Sequence, residues 1–552
     1  MKASPHRAYG ALFLILATGA FAGCSTSDAP PTPEAPLVVG PAPLRRLSNS
    51  EYLNALHDLF PAQNPALPPL PADSSSSGFE NSTEAQEPSD VRIARYETIA
   101  NLYAAGATKD AAAVRTLVGC TDWTTPAQAV ACTGTFLDGM GSRIFRRPLS
   151  GEERDRFSLH FQAWNAAIDF EAAVQLTVSA MLQSPQFLYR AEPPPTEPTP
   201  GDTIIAVEPY AMASRLSFFL WESVPDDALL QAAANDQLRS SDQLRAQAER
   251  MLADDRARRV LWSFHRQWLG LDRILGDEHL VRTPAVDPSW TSASPQAAHE
   301  ESKRFVENVL MSGGTWRDLL TSRRAWVNGE MARIYGQPAP ADPNAWQEIA
   351  LPESERAGIL TRAAFLAGYS HRGATSPPIR GNAIGRHLLC QLPISPPPGV
   401  DLSMPRAAPN QGPQTNRMLF ETRTAPASCQ GCHYGLNGFG FGFESYTAAG
   451  AFHTQEVGLP IDPSGRIVGT DVDRTFSGAI ELSSALEGSN DVRRCVTRQW
   501  LTYALGRSPT NDEVPLTDAL AKGFTDSGGD IRRLLIDIVT APTFRMRRIT
   551  GS

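Results

Sequence analysis

The sequence predicts a mainly α fold that consists of several helical modules. Apolar residues recur at helical spacing in the stretches 170–190, 209–222, 227–274, 298–321, 353–369, 491–506 and 529–540. Period-2 alternation is scarce outside a hairpin predicted around Leu459–Val468, where Asp462–Gly465 indicates a turn. The 552 residues are too many for one core, and the 45 prolines cluster between the helical stretches. We therefore expect three to five packed units joined by stiff connections.

The N-terminus carries the pattern of an export signal. A short basic region precedes an apolar stretch over residues 9–22, which is too short to span a bilayer. This stretch ends in Phe21–Cys24, which resembles the lipobox where cleavage leaves a lipid-modified cysteine. An ordinary secretory signal with a cysteine at its cleavage site is the alternative. We predict lipidation at Cys24 and a lipid anchor in the cell envelope, on the periplasmic face or the outer surface.

The next residues predict a tether followed by helical modules. Residues 24–43 are rich in proline and alanine, and order is expected from about Leu44. Boxes of the form Ser/Thr-x-x-Glu predict helix starts at Ser48, Ser150 and Thr510. Arginines precede each box, as in a repeated helical hairpin, but chance explains this likeness better. The expected units are a lipoprotein signal peptide (1–23), a Pro-rich tether (24–43), four helical modules (44–110, 111–198, 205–337 and 469–552) and a motif-bearing module (353–468).

If the chain is exported, its seven cysteines are in a compartment where disulfides form and persist. Once Cys24 and the motif described below are set aside, four remain. Cys120 and Cys132 are close in sequence and form one candidate disulfide, and Cys390 and Cys495 form the other. Free buried thiols are the alternative for all four.

The charge of the chain excludes one class of partner. The net charge is −9 and there is no block of like charges. Nucleic-acid binding requires a basic face that contacts phosphates, so we expect no nucleic-acid partner.

The motif that carries chemistry is Cys429-Gln430-Gly431-Cys432-His433. Two thiols separated by two residues can form thioethers with the two vinyl groups of a porphyrin, and the next histidine then reaches the iron. A helix is predicted over 414–424, and the glycines from Gly435 to Gly442 predict a permissive loop that passes close to a flat cofactor. The motif therefore predicts one covalent haem c, with Cys429 and Cys432 as anchors and His433 as the proximal iron ligand.

Three other interpretations of the two cysteines remain. A structural zinc site needs a fourth ligand, for which His453 is the near candidate. A thioredoxin-like pair needs a βαβ context, and a disulfide across two residues is strained.

The sixth iron position is open. The first candidate is His371, which lies in a polar segment rich in glycine and proline where a place in a helix core is not expected. A hydrogen bond to loop backbone is the alternative role for His371. The other candidates are His387, Met404, Met418 and Met546. Without a strong sixth ligand, the iron would bind a small molecule.

Seven segments resemble a multi-module family of secreted bacterial proteins. They read RRLSNSEYLNALHDLF, RIFRRPLSGEERDRF, SAMLQSPQFLYR, SRLSFFLWESVPDDALL, RAGILTRAAFLAGYSHRGATSPPIRG, SCQGCHYGLNGFGFGFESY and RQWLTYALGRSPT. The family's parts are catalogued as domains of unknown function in the fifteen-eighty-five to fifteen-ninety-five series. The resemblance runs from Leu44 to the C-terminus, and it implies a helical, cytochrome-c-like haem module embedded among four uncharacterised helical modules. The family commonly has an Asp-Pro step after the motif, whereas this chain reads Leu436-Asn437-Gly438; we expect this departure to affect local loop geometry.

The leading functional hypothesis is electron transfer in the cell envelope, with a redox partner protein or small molecule that the sequence does not identify. A haem enzyme of the peroxidase or oxidase type is the second hypothesis, which would make the chain a haem-dependent oxidoreductase. A non-redox scaffold that binds glycans or envelope proteins is the third.

Overall fold

The computed structural model describes residues 39–549 apart from 75–77, 84–85, 87, 193–202, 277–286, 393–395, 402, 408 and 410. The mainly α class is confirmed, because 58% of the structure is helical and the strands are few and short. The predicted signal peptide and Cys24 lie outside the described residues. Within the described ranges, no helix has the length and apolar character needed to cross a membrane.

The first part of the body is a helical bundle that opens and closes with a short strand. Its elements are β1 (Arg45–Arg46), α1 (Asn49–Leu59), α2 (Asp90–Ala107), α3 (Ala111–Val118), α4 (Pro126–Phe136), α5 (Ser142–Phe145), α6 (Gly151–Ala167), α7 (Phe170–Leu182), α8 (Pro185–Leu188) and β2 (Tyr189–Arg190). A π-helix over Leu137–Gly141 joins α4 to α5. Strands β1 and β2 pair antiparallel.

The central part has the elements β3 (Thr203–Ala206), α9 (Pro209–Trp221), α10 (Asp227–Ala234), α11 (Ser241–Ala253), α12 (Ala257–Trp268), α13 (Arg273–Gly276), α14 (Ser294–Met311), α15 (Trp316–Thr321), β4 (Arg324–Val327), α16 (Gly329–Tyr335) and β5 (Gln347–Ala350). Strands β4 and β5 pair antiparallel. The helical stretch predicted over 298–321 is two helices, because Gly313 adopts a φ of 84° between them.

The motif-bearing part has the helices α17 (Ala363–Gly368), α18 (Pro377–Ala383), α19 (Asn416–Thr424) and α20 (Ala427–Gly440), followed by the strands β6 (Gln455–Glu456), β7 (Leu459–Pro460), β8 (Ser464–Ile467) and β9 (Arg474–Ser477). A 3-10 turn (Ile359–Thr361) precedes α17, a π-helix (Ile384–Leu388) follows α18, and a 3-10 turn (Phe441–Phe443) follows α20. The helix predicted over 353–369 is therefore shorter than expected.

The C-terminal part has the elements α21 (Gly478–Glu487), α22 (Asn490–Leu505), α23 (Val514–Asp526), α24 (Ile531–Thr540), α25 (Pro542–Arg545) and β10 (Met546–Ile549). Strand β10 pairs antiparallel with β3, so the chain end closes on the start of the central part.

The buried apolar side chains of the described residues form two cores. One lies among α1–α8 and includes Phe218 from α9. The other runs from Val207 to Phe544 and includes Phe79. The central, motif-bearing and C-terminal parts thus share one core, so the described body has fewer packed units than the three to five expected.

The stretch from α6 to β2 and the stretch from α23 to β10 repeat one arrangement. In each, two helices are followed by a one-turn helix that starts at a proline and by a strand that pairs with the strand opening its unit. The predicted capping boxes form, and each glutamate also binds the preceding arginine: Arg147 binds Glu153 at 2.8 Å and Arg507 binds Glu513 at 2.7 Å. From the sequence, chance was the better explanation for the likeness between the boxes preceded by arginine. The structure shows that two of these boxes begin the same helical hairpin.

Order begins earlier than expected. Val39 is buried, the Gly40 N–H donates to Glu513 Oε1 at 3.1 Å, and the Pro41 carbonyl accepts from Arg507 Nε at 2.8 Å. Residues 39–41, which the sequence assigned to the tether, are part of the folded body because the repeat's ion pair binds them.

The predicted hairpin around Leu459–Val468 is wrong. Strand β7 pairs with β6, and β8 pairs with β9, so two separate hairpins occupy this region. The first turns at Val457 and Gly458, whose φ values of 47° and 81° are typical of a tight hairpin turn. Valine rarely adopts positive φ, so Val457 obscured the turn that Gly458 favours.

Candidate functional site

The three residues of the predicted motif lie on one face of α20. Cys429, Cys432 and His433 occupy positions i, i+3 and i+4 near the start of this helix, which begins directly after Pro426. Cys429 and His433 are half-buried and Cys432 is exposed. Both thiols are free. The fold therefore presents two sulfur atoms and one imidazole together at a surface accessible to a ligand.

A chain of hydrogen bonds holds His433. The His433 Nδ1 atom lies 3.1 Å from Asn437 Oδ1, one helical turn further along α20. Asn437 Nδ2 donates to Thr424 Oγ1 at 3.0 Å, and the Thr424 hydroxyl donates to the Phe420 carbonyl at 2.7 Å. Asn437 is buried. The imidazole is thus oriented from its Nδ1 side by the buried Asn437 of α20, which Thr424 of α19 holds in turn.

Close packing against α18 positions α20. A Cβ placed on Gly381 would lie 1.8 Å from the Leu436 carbonyl oxygen, and one on Gly440 would lie 1.9 Å from the Pro377 carbonyl oxygen. The glycine-rich loop predicted after the motif is wrong, because α20 continues to Gly440. The glycines Gly438 and Gly440 permit the close approach of neighbouring backbone instead of a passage beside a cofactor.

Two buried groups fix the segment that follows α20. Arg380, on α18, donates to the carbonyl oxygens of Phe443 at 2.7 Å and Tyr446 at 3.2 Å. Burial lowers the pKa of Arg380 to about 10. Burial raises the pKa of Glu444, whose carboxylate accepts from Thr375. These bonds satisfy backbone carbonyls in the core and so hold α18 and the end of α20 in one position.

An open groove of about 390 Å³ lies beside His433. It is lined by residues of α19, α20, the Phe441 turn, β8 and β9. Two cations border it: the Arg417 guanidinium lies 4.4 Å from the Phe441 ring centre, and that of Arg466 lies 4.7 Å from the Tyr434 ring centre. His371 is not among the groove's lining residues.

The candidates for the sixth iron position occupy different surroundings. His371 lies in the loop between α17 and α18, where its backbone N–H donates to the Ala374 carbonyl at 3.0 Å. His387 is half-buried, and its Nε2 lies 2.7 Å from the Tyr369 hydroxyl. Burial, together with nearby arginines, lowers the pKa of His387 to about 3. His387 is therefore a half-buried histidine whose ring is hydrogen-bonded to Tyr369.

The three methionine candidates for the sixth iron position lie in three different parts of the fold. Met404 is half-buried in the segment before α19, and Met418 lies on α19 with 42% of its surface exposed. Met546 lies in β10, paired with Ala206. His453, the zinc candidate, has Nδ1 3.2 Å from the Gln455 carbonyl and Nε2 3.0 Å from the Glu444 carbonyl.

The four other described cysteines form two disulfides. Cys120 pairs with Cys132, and Cys390 pairs with Cys495. The second disulfide joins the segment just after the π-helix Ile384–Leu388 to α22, and thereby links the motif-bearing part to the C-terminal part.

Sequence reasoning missed the residues that support the motif. Asn437 had a readable signal, since it lies four residues after His433 on a helix and therefore on the same face. Thr424 and Arg380 had no such signal, because their partners are fixed by the packing of separate helices.

The fold and the site define a helical protein of several modules with a cysteine–histidine motif on a surface helix. Five families match successive stretches, each described as a protein of unknown function: DUF1587 at 45–109, DUF1595 at 132–192, DUF1592 at 207–337, DUF1588 at 356–456 and DUF1585 at 473–544. The chain belongs to the multi-module family of unknown function that these domains form. The motif lies within the DUF1588 match. Neither a curated protein nor a solved structure matches the chain.

Proposed function

We propose that this chain binds one haem c covalently and transfers electrons in the cell envelope. Cys429 and Cys432 form the thioether bonds and His433 is the proximal iron ligand. The observation that carries the proposal is the placement of two free thiols and one oriented imidazole on a single face of α20. When bound, haem supplies a one-electron iron couple.

The residues present fit a porphyrin. Cys432 is exposed and Cys429 is half-buried, so the sulfur-bearing face of α20 is accessible to a ligand. Two large apolar side chains close to the motif have high exposure: Tyr434, which follows His433 on α20, at 54%, and Met418, on the adjacent helix α19, at 42%. Exposed apolar groups beside a motif are the kind of surface that a flat apolar cofactor covers.

The alternatives for the two cysteines have less support. Both ring nitrogens of His453 face backbone carbonyls, so this histidine is not oriented toward a zinc ion held by the thiols. Every sheet among the described residues is a two-stranded antiparallel pair, which is not the βαβ context of a thioredoxin-like site.

Export and lipid attachment at Cys24 belong to the same proposal. Disulfides persist in oxidising compartments, and the pairs Cys120–Cys132 and Cys390–Cys495 are consistent with such a location. Haem c is attached outside the cytoplasm, so the location and the cofactor support each other. The redox partner is a protein or a small molecule that reaches the groove side of α20.

The test is expression of the full chain, with its signal, in a host that has the haem c maturation machinery. We expect the denatured protein to retain haem on a gel, and mass spectrometry to find haem on the peptide with Cys429 and acyl chains on Cys24. The double variant C429S/C432S should lose covalent haem, whereas C120S/C132S, which removes the same number of sulfur atoms elsewhere, should keep it. An unmodified motif peptide in the wild-type protein would refute the proposal.

The spectrum of the loaded protein distinguishes electron transfer from catalysis. We expect low-spin iron that does not bind carbon monoxide or cyanide. High-spin iron that binds both ligands would favour a haem enzyme of the peroxidase or oxidase type. A colourless protein would favour the envelope scaffold.

A further inference from the structure

The hydrogen bonds around Asn437 determine which nitrogen of His433 is available to a metal. Asparagine presents an oxygen acceptor on one side and an N–H donor on the other, and only the surrounding bonds establish which is which. The Thr424 hydroxyl has one proton, and it donates this proton to the Phe420 carbonyl at 2.7 Å. Thr424 Oγ1 is therefore an acceptor toward Asn437.

The acceptor role of Thr424 fixes the orientation of the Asn437 side-chain amide. Asn437 must direct its N–H group to Thr424, at 3.0 Å, and its oxygen to His433 Nδ1, at 3.1 Å. The oxygen accepts, so Nδ1 carries the proton and Nε2 keeps the lone pair. The protein thus holds His433 as the tautomer whose Nε2 is ready to bind iron.

The partner of Nδ1 is also electrically neutral. A carboxylate in this position would draw the proton, make the imidazole a stronger donor and stabilise ferric iron. An amide makes the imidazole a weaker donor. Asn437 is only 5% exposed, so its amide has little contact with water.

We infer that Asn437 is a positioning residue that keeps the reduction potential of iron at His433 higher than a carboxylate would. This inference rests on the proposed haem binding. It concerns the potential and not the attachment, which depends on Cys429 and Cys432.

The experiment is a redox titration of the haem-loaded full chain and its variants against a one-electron reference dye. N437D should shift the equilibrium toward the ferric form by about tenfold or more, equal to ~59 mV for a one-electron couple. N437L removes the acceptor and should shift it in the opposite direction. T424V removes the group that orients the amide and should give a smaller shift than N437L.

The matched control is T422V. Thr422 lies on the same helix as Thr424 and donates to the Met418 carbonyl at 2.9 Å in the same way. We expect the reduction potential of T422V to equal that of the wild type. Haem content, measured for each variant by the pyridine haemochrome spectrum, should not change.

The outcomes separate the two claims. A wild-type chain without covalent haem refutes the proposed function. A loaded wild type in which N437D and N437L leave the potential unchanged, or move it in the same direction, overturns the inference alone. Loss of haem from N437D would show that Asn437 serves attachment or folding, and would also overturn the inference.

Discussion

Gly381 and Leu436 bring α18 and α20 into backbone contact, since a Cβ on Gly381 would lie 1.8 Å from the Leu436 carbonyl oxygen. Leu436 is three residues after His433. The position of the candidate haem helix therefore depends on a glycine that is 55 residues earlier in the chain than Leu436.

The substitution G381A should displace α20 and destabilise the protein by about 3 kcal/mol, the upper range for overpacking, because a carbonyl oxygen cannot occupy the same space as a methyl group. Urea unfolding measures this loss. The control is G431A on α20 itself, where the added Cβ meets nothing within 4 Å and helix propensity improves. Equal stability of the two variants would contradict the close contact.

Glu513 links the C-terminal repeat to the first described residues of the chain. Burial by itself raises the pKa of Glu513, but hydrogen bonds from Arg507 and Thr543 lower it to about 2. A carboxylate with a depressed pKa stabilises the fold above its unfolded value, about 4.3, and this stabilisation is lost as the pH falls toward 2.

We expect E513Q to lower the free energy of unfolding by about 3 kcal/mol at pH 7, because Arg507 is left buried without its partner. The difference in the free energy of unfolding between E513Q and the wild type should become smaller as the pH falls from about 4 toward 2. The control E348Q breaks the surface pair with Arg324, where Glu348 is 47% exposed, and should cost less than about 0.5 kcal/mol. A difference from wild type that does not depend on pH would contradict the assigned role of Glu513.

The Cys390–Cys495 disulfide closes a sequence separation of 105 residues, compared with 12 for Cys120–Cys132. Loop-closure entropy predicts that removing the disulfide with the longer loop lowers the free energy of unfolding more. We expect a loss of about 4.7 kcal/mol for C390S/C495S and about 3 kcal/mol for C120S/C132S. Denaturant unfolding under non-oxidising conditions measures both double variants. The reverse order would show that strain or residual structure outweighs chain entropy here.

His371 remains our first prediction for the sixth iron ligand. If it binds iron, H371A should convert the loaded protein from low-spin to high-spin and allow carbon monoxide to bind. M404L and M418L conserve size, and their spectra should match the wild type. An unchanged H371A spectrum with a changed methionine variant would transfer the role to that methionine.

Local patterns in the sequence predicted what depends on near neighbours. The capping boxes at Ser48, Ser150 and Thr510 form as expected, because each needs a helix start and a glutamate three residues later. Helix α22 extends from Asn490 to Leu505, close to the predicted 491–506. By contrast, the glycines after the motif suggested a loop although they lie in a helix. Gly440 is needed there because the backbone of α18 lies too close for a side chain, and the sequence does not show that contact.

The departure of this chain from its family's Asp-Pro step also has a different consequence from the one expected. We expected it to alter loop geometry, but this segment is helical and Asn437 contacts the Nδ1 atom of His433. The departure therefore bears on the imidazole of the candidate ligand.

The order of residues along the chain was sufficient for the helical class, the spacing of Cys429, Cys432 and His433, and the chemistry that this spacing suits. Folding in three dimensions was needed to bring Gly381 against Leu436, Thr424 against Asn437 and Glu513 against Gly40. The physical reason is that a helix period repeats every few residues and is visible in any short window. Contacts between distant residues leave no local pattern, because they arise only when separate helices pack in one common core.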